Sequence, residues 1–276
     1  MNENALEGRA LQYIIEKVKS DRKYSAIGLP DATIEDIAQQ ELTRHPKVEV
    51  ALNNTKAILH NVVAPYLDDV DYPQAKKQVE EAFALGNEEA IRQTALKILE
   101  QHESTRERLP YLEQFYEVIR TVCRPLSIII DLACGLNPLA LPFMGMTELV
   151  RYYAYDIHQP RVELINQFFK GWGLESLAEV RDVLVHPPQI QADAAFLFKE
   201  AHRMEKRRKG SSRDLIKVIS ARVIFVSLPT RSLDGRRNLS ARMERLVKEI
   251  FANLEGDTGM EDFAEETLYW KKRKSA

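Results

Sequence analysis

Gly135, Asp156 and Asp182 each stand just beyond a short apolar run, at intervals that suit the loops of one nucleoside site. Gly135 lies in Asp131-Leu-Ala-Cys-Gly-Leu-Asn-Pro-Leu-Ala140, behind Ile128, Ile129 and Ile130. A β-branched run followed by a small-residue turn describes a buried parallel strand, and ligands of open α/β sheets bind beyond the carboxyl ends of such strands. Residues 150–155 repeat the apolar pattern and end in Asp156, an acid placed to accept both hydroxyls of a ribose. The loop carries one glycine followed by Asn137-Pro138, not G-x-G-x-x-G, so a dinucleotide pyrophosphate has little backbone to lie on. A cofactor with a nucleoside and no phosphates fits, and S-adenosylmethionine is the candidate. Asp182 and Val183 follow a third run, 178–180. There a carboxylate meets the adenine amino group and the Val183 N–H a ring nitrogen. Simpler roles exist for each: Gly135 as an ordinary turn, and Asp156 as a cap for the helix after Gln159-Pro160.

These residues need a sheet to align them. Runs at 128–132, 152–155, 178–180, 194–198 and 222–227 alternate with helical stretches such as 161–172, which predicts an α/β fold with a doubly wound, mostly parallel Rossmann-like sheet. Glu266 to Trp270 is expected as a last strand. Residues 1 to about 120 look helical, with few glycines and an apolar stripe at Leu11, Ile14, Ile15 and Val18. Asp31 or Thr33 is expected to cap one helix and Asn87 another, with a break at 68–73. The division expected is a helical N-terminal region, 1–105, and a methyltransferase domain, 106–276.

Upstream of the sheet stands His102-Glu-Ser-Thr-Arg-Glu-Arg108. Ser104 to Glu107 is a possible capping box for a helix over 109–122. Alternatively Arg108, or Arg106, pairs with the carboxylate of the cofactor's methionine.

The 276 residues, 45% apolar and 29% charged, suit a soluble globular chain, and no 18-residue apolar run or signal peptide is apparent. Two cysteines exclude a disulfide scaffold and a cysteine zinc site, so a cytoplasmic protein without membrane or metal is expected. The net charge of −2 hides an asymmetry: residues 1–120 carry 21 acids and 15 bases, residues 203–245 carry 4 acids and 13 bases. The basic stretch reads either as a solvated surface or as a phosphate-docking patch that includes Arg207 and Arg208.

The segments 102–110, 131–141, Asp156-Ile-His158, Asp182-Val183, Phe198-Lys199 and Ser227-Leu-Pro-Thr-Arg-Ser-Leu233 occur in order and closely resemble the Arm/Rmt aminoglycoside-resistance methyltransferases. The resemblance implies transfer of a methyl group from S-adenosylmethionine to N7 of guanine 1405 of 16S ribosomal RNA, within the 30S subunit, by a monomer. It implies cofactor contacts from Arg108, Gly135, Asp156, Asp182 and Val183, a pocket lined by His102, Glu103 and Ser104, and an aromatic closing over it at Tyr66. Thr230, Arg231 and Ser232 then lie near the target guanine, and no residue acts as general acid or base. The chain departs from the family after Lys199, where 200–209 replaces leucines and a proline with a basic segment. The other readings are a methyltransferase for another RNA nucleotide or a small molecule, and a non-catalytic RNA-binding relative.

Overall fold

The computed structural model describes residues 3–64, 70–147, 149–230 and 240–274, with the side chains of 3–7 and 240 left aside. Four helices come first: α1 (Glu3–Lys19), α2 (Arg22–Ile27), α3 (Asp31–Arg44) and α4 (Val48–Val63). They close a core of their own, with Ile14, Val18, Ile34, Ile37, Ala38, Ala51 and Leu59 inside. Next come α5 (Tyr72–Ala84), α6 (Glu88–Leu99), the single turn α7 (Glu103–Arg106) and α8 (Leu112–Val122). Asn87 caps α6 as expected, accepting from the Glu89 N–H at 2.9 Å. α3 begins at Asp31 itself, with Pro30 at the cap position.

The sheet has strands β1 (Ile128–Leu132), β2 (Arg151–Asp156), β3 (Ala178–Val180), β4 (Gln191–Phe198), β5 (Ser220–Pro229), β6 (Gly256–Asp262) and β7 (Glu266–Arg273). Their order is β3-β2-β1-β4-β5-β7-β6; the first five are parallel, β7 runs antiparallel to β5, and β6 pairs antiparallel with β7. The expected strands are present, and β6 is an addition. Its residues, Gly-Asp-Thr-Gly-Met-Glu-Asp, are mostly exposed at the sheet edge and carry no apolar alternation.

Successive residues of the central strands serve opposite faces. Ile129, Phe196 and Phe225 pack under α5, α6, α8, α9 (Leu141–Met144) and α10 (Gln159–Trp172). Ile130, Leu197 and Ile224 pack under α11 (Ala201–Arg207), α12 (Ser211–Val218) and α13 (Ser240–Phe251). The core under α5 and α6 is therefore the sheet's own, while α1–α4 close a separate one. Ile157, just beyond β2, is packed against the α1–α4 core, so that unit borders the carboxyl edge of the sheet. No helix among the described residues is long and apolar enough to cross a membrane.

Candidate active site

β1 lies between β2 and β4, so the chain winds outward in both directions from it and a crevice opens at its carboxyl end. Backbone strain concentrates there. Ala133 and Lys199, the first residues to turn away beyond β1 and β4, are the two non-glycine residues with positive φ among those described, at 52° and 56°. Such backbone costs on the order of 1–3 kcal/mol and collects at functional sites.

Gly135 has φ of 53°, and a Cβ built on it would stand 3.3 Å from Nε2 of His102. Its bare backbone thus faces the buried His102 ring, as close approach of a ligand requires. The Gly135 N–H donates to Oδ2 of Asp156 at 3.0 Å. Oδ1 of Asp156 accepts from the His158 N–H at 2.9 Å, and Nη1 of Arg161 reaches both oxygens at 3.2 Å. Arg161 is itself buried and donates from Nε to the Tyr72 hydroxyl at 3.2 Å. The acid closing β2 is therefore charge-balanced from α10, and it ties the 131–140 loop to the next strand. His158 supplies the cap of α10, accepting from the Arg161 N–H at its Nδ1.

Below the loop runs a buried polar network. Asp131 Oδ2 accepts from Asn137 Nδ2 at 2.8 Å and from the Tyr152 hydroxyl at 2.7 Å. Its Oδ1 is buried and has no hydrogen-bond partner among the described residues. Burial pushes the Asp131 carboxyl up to about 7, against the lowering effect of those two hydrogen bonds. Asn137 Oδ1 accepts from the Tyr116 hydroxyl and from Nη1 of Arg108 at 2.9 Å.

Arg108, expected at a cofactor carboxylate, is held inside the protein. Nε and Nη2 form a bidentate pair with Glu266 at 2.7 and 2.8 Å, and Nη2 also lies 3.4 Å from the Ser227 hydroxyl. The guanidinium sits over the rings of Phe115 and Phe198, 4.1 and 4.8 Å from their centroids. These partners use four of its five N–H groups. Burial opposes the charge on Arg108 and Glu266, and their mutual attraction overrides it, raising the arginine pKa and lowering the carboxyl's. Lys199 completes the cluster: Nζ donates to Glu107 at 2.6 Å and to the Ser104 carbonyl at 3.4 Å, and lies 3.9 Å from Glu266. The 102–108 segment is not a capping box, since α7 begins at Glu103 and α8 only at Leu112. Glu103 and Ser104 are partly exposed on this short turn, and Arg106 is exposed.

Asp182 accepts from the Leu184 N–H at 3.0 Å through Oδ1, and Val183 is buried beside it in the core under α11. Oδ2 of Asp182 accepts from Arg207. Arg207 is thus corrected from a phosphate-docking cation to a buried one: its side chain is 7% exposed and spans Asp182 and Asp36. Arg208 is 43% exposed, 3.9 Å from Asp36. Thr230 follows the end of β5, its N–H donating to the Glu265 carbonyl at 3.1 Å. Tyr66, Arg231 and Ser232 lie outside the described residues. Glu266, Arg161, Asn137 and Asp36 hold side-chain roles here that the sequence did not assign to them. Arg161, five residues after Asp156, is the one with a local signal. Among the described residues no group of three or more His, Cys, Asp or Glu is placed to hold a metal.

The bare Gly135 backbone and the orphaned Asp131 oxygen fit a polar, nucleoside-bearing cofactor at this edge. Comparison with known proteins gives the same direction. The family model described as "Ribosomal RNA methyltransferase (FmrO)" matches residues 20–260. A 16S rRNA (guanine(1405)-N(7))-methyltransferase of Micromonospora echinospora is 31% identical over 258 residues, 90% of this chain and 93% of that protein. A protein of the same name from Serratia marcescens is 31% identical, over 80% of this chain and 82% of its own length. The crystal structure of the 16S rRNA methyltransferase RmtF with S-adenosyl-L-homocysteine superposes with a TM-score of 0.74 at 26% identity, covering 99% of this chain and 100% of that one.

Proposed function

The chain belongs to the FmrO family of ribosomal RNA methyltransferases, and from that premise we propose that it methylates N7 of guanine 1405 in 16S ribosomal RNA. It is an S-adenosylmethionine-dependent enzyme. The observation that carries the reading is the position of the 131–140 loop, at the reversal of strand order in a sheet of this family.

S-adenosylmethionine supplies an electrophilic methyl group on a sulfonium sulfur. Gly135, Asp156, Asp182 and Val183 would hold its adenosine, and His102, Glu103, Ser104 and the remaining N–H of Arg108 would line the methionine side. Guanine N7 offers a lone pair and has no proton to lose, so no side chain has to act as a base; alignment is the protein's contribution. The alkylated guanine gains positive charge, and unpaired cations beside it would oppose that. The pairing of Lys199 with Glu107 and of Arg108 with Glu266 keeps this edge neutral. The target base has to be unstacked at a cost of a few kcal/mol.

The helical region up to residue 105 docks on the 30S subunit together with Arg208 and its basic neighbours, the enzyme acts as a cytoplasmic monomer, and the product ribosome resists aminoglycosides. Expression in a sensitive bacterium tests the proposal. Kanamycin and gentamicin resistance with N7 methylation mapped at guanine 1405 is the expected result. Methylation at another nucleotide would move the target, and a protein that binds the cofactor but leaves 16S RNA unmodified would overturn the assignment.

A further inference from the structure

α11 is rich in bases, yet the side chain of its last residue, Arg207, is 7% exposed. Arg207 donates from Nη1 to Oδ2 of Asp182 at 2.5 Å and from Nη2 to Oδ2 of Asp36 at 2.6 Å. Asp36 belongs to α3, within the separately cored α1–α4 unit, and Asp182 to the loop after β3. The other oxygen of Asp182 is held by its own loop through the Leu184 N–H. One carboxylate is thus fixed from both sides, and one of its two anchors is itself tied to a helix of the other unit. A planar guanidinium suits this task, since two separate N–H edges leave it in fixed directions. Burial opposes its charge, and the two carboxylates more than offset that.

We propose that Arg207 is a positioning residue for the cofactor: it clasps Asp182 to Asp36, so that recognition of adenine depends on how the α1–α4 unit is seated. The proposal rests on the reading that Asp182 accepts from the adenine amino group. Asp36 then influences cofactor binding without touching the cofactor.

The test uses the full chain and calorimetric binding of two ligands, S-adenosylhomocysteine and its 6-oxo (inosine) counterpart, which lacks the amino group. Asp182→Asn examines the underlying reading. Adenine binding should weaken about tenfold and the preference over inosine should collapse. An unchanged preference overturns that reading, and the clasp with it. Given that loss, Arg207→Gln should also weaken adenine binding about tenfold and erode the preference, because the carboxylate is freed to turn. Asp36→Asn should cost about threefold, and nothing further in the Arg207→Gln background, since coupled residues are not additive. Full adenine preference in Arg207→Gln, or an Asp36→Asn effect that persists without Arg207, overturns the clasp and leaves the Asp182 assignment standing. A merely structural role would lower binding of both ligands equally. Should Arg207→Gln not fold, Arg207→Lys keeps the charge and loses the fork; it should lose preference, and wild-type preference there overturns the proposal.

Discussion

At the scale of single residues, Gly135 makes the sharpest demand. Its φ of 53° and the 3.3 Å separation from His102 leave no relaxed place for a methyl group. Gly135→Ala should lower cofactor affinity about tenfold, because left-handed backbone costs an alanine roughly 1–2 kcal/mol. Gly8→Ala, where nothing stands within 4 Å, is the control. Equal calorimetric affinities for the two variants would place the loop away from the ligand. Asp131 adds a pH signature. Its carboxyl titrates near 7 in the fold, through burial, against about 4 unfolded. The fold therefore favours the protonated acid: its contribution is complete below about pH 4 and is lost as pH rises to about 7. Relative to Asp131→Asn, the wild-type melting temperature should climb as pH falls from about 8 to about 5, and a flat difference would count against a buried acid. The strand-end positions of Gly135, Asp156 and Asp182 were readable because each follows an apolar run, a local pattern. The partners of Arg108 were not. Nothing near residue 108 announces Glu266, 158 positions away, so an arginine read as ligand-facing lies mostly inside the protein.

At the scale of elements, β7 does more than extend the sheet. It delivers Glu266 opposite β5 residue Pro229 and beneath Arg108, joining the segment before α8 to the antiparallel edge. Glu266→Gln keeps the shape and removes the charge. Leaving one partner of a buried pair uncompensated should cost about 3–5 kcal/mol, read as a lower urea midpoint. A loss under about 1 kcal/mol would mean that Arg108 is satisfied without it. The parallel strands were legible as apolar runs, and α6 and α10 as periodic stripes with capping or proline starts. Two kinds of element escaped. β6 is a polar edge strand whose order comes from β7 alone. In α11–α13 the abundance of Arg and Lys drew attention from Met204, Leu215, Ile216, Met243, Val247 and Ile250, which sit at helical spacing and are buried. Their bases belong to outer faces, with Arg207 the exception.

At the scale of the whole molecule, the split between exposed and buried cations predicts how the proposed binding to the 30S subunit responds to salt. Each phosphate contact steepens the dependence by roughly one unit of slope. Arg208→Gln should flatten the slope for 30S binding by about one, while Arg207→Gln should leave it unchanged even where cofactor binding suffers. A flattened slope in Arg207→Gln would put that side chain on RNA. The separation of the two cores belongs to this scale as well: the break read at 68–73 does not say which core the helix after it joins, because that is a property of packing. The long reach from Arg108 to Glu266 also sets a timetable. At a synthesis rate of roughly 5–20 residues per second, the carboxylate emerges on the order of ten to thirty seconds after the arginine. Until then the nascent chain carries a cation whose burial nothing offsets, and the centre of the sheet has to stay open. A newly made copy thus becomes competent only after β7 has been translated, so the centre of the site is among the last parts of the sheet to close.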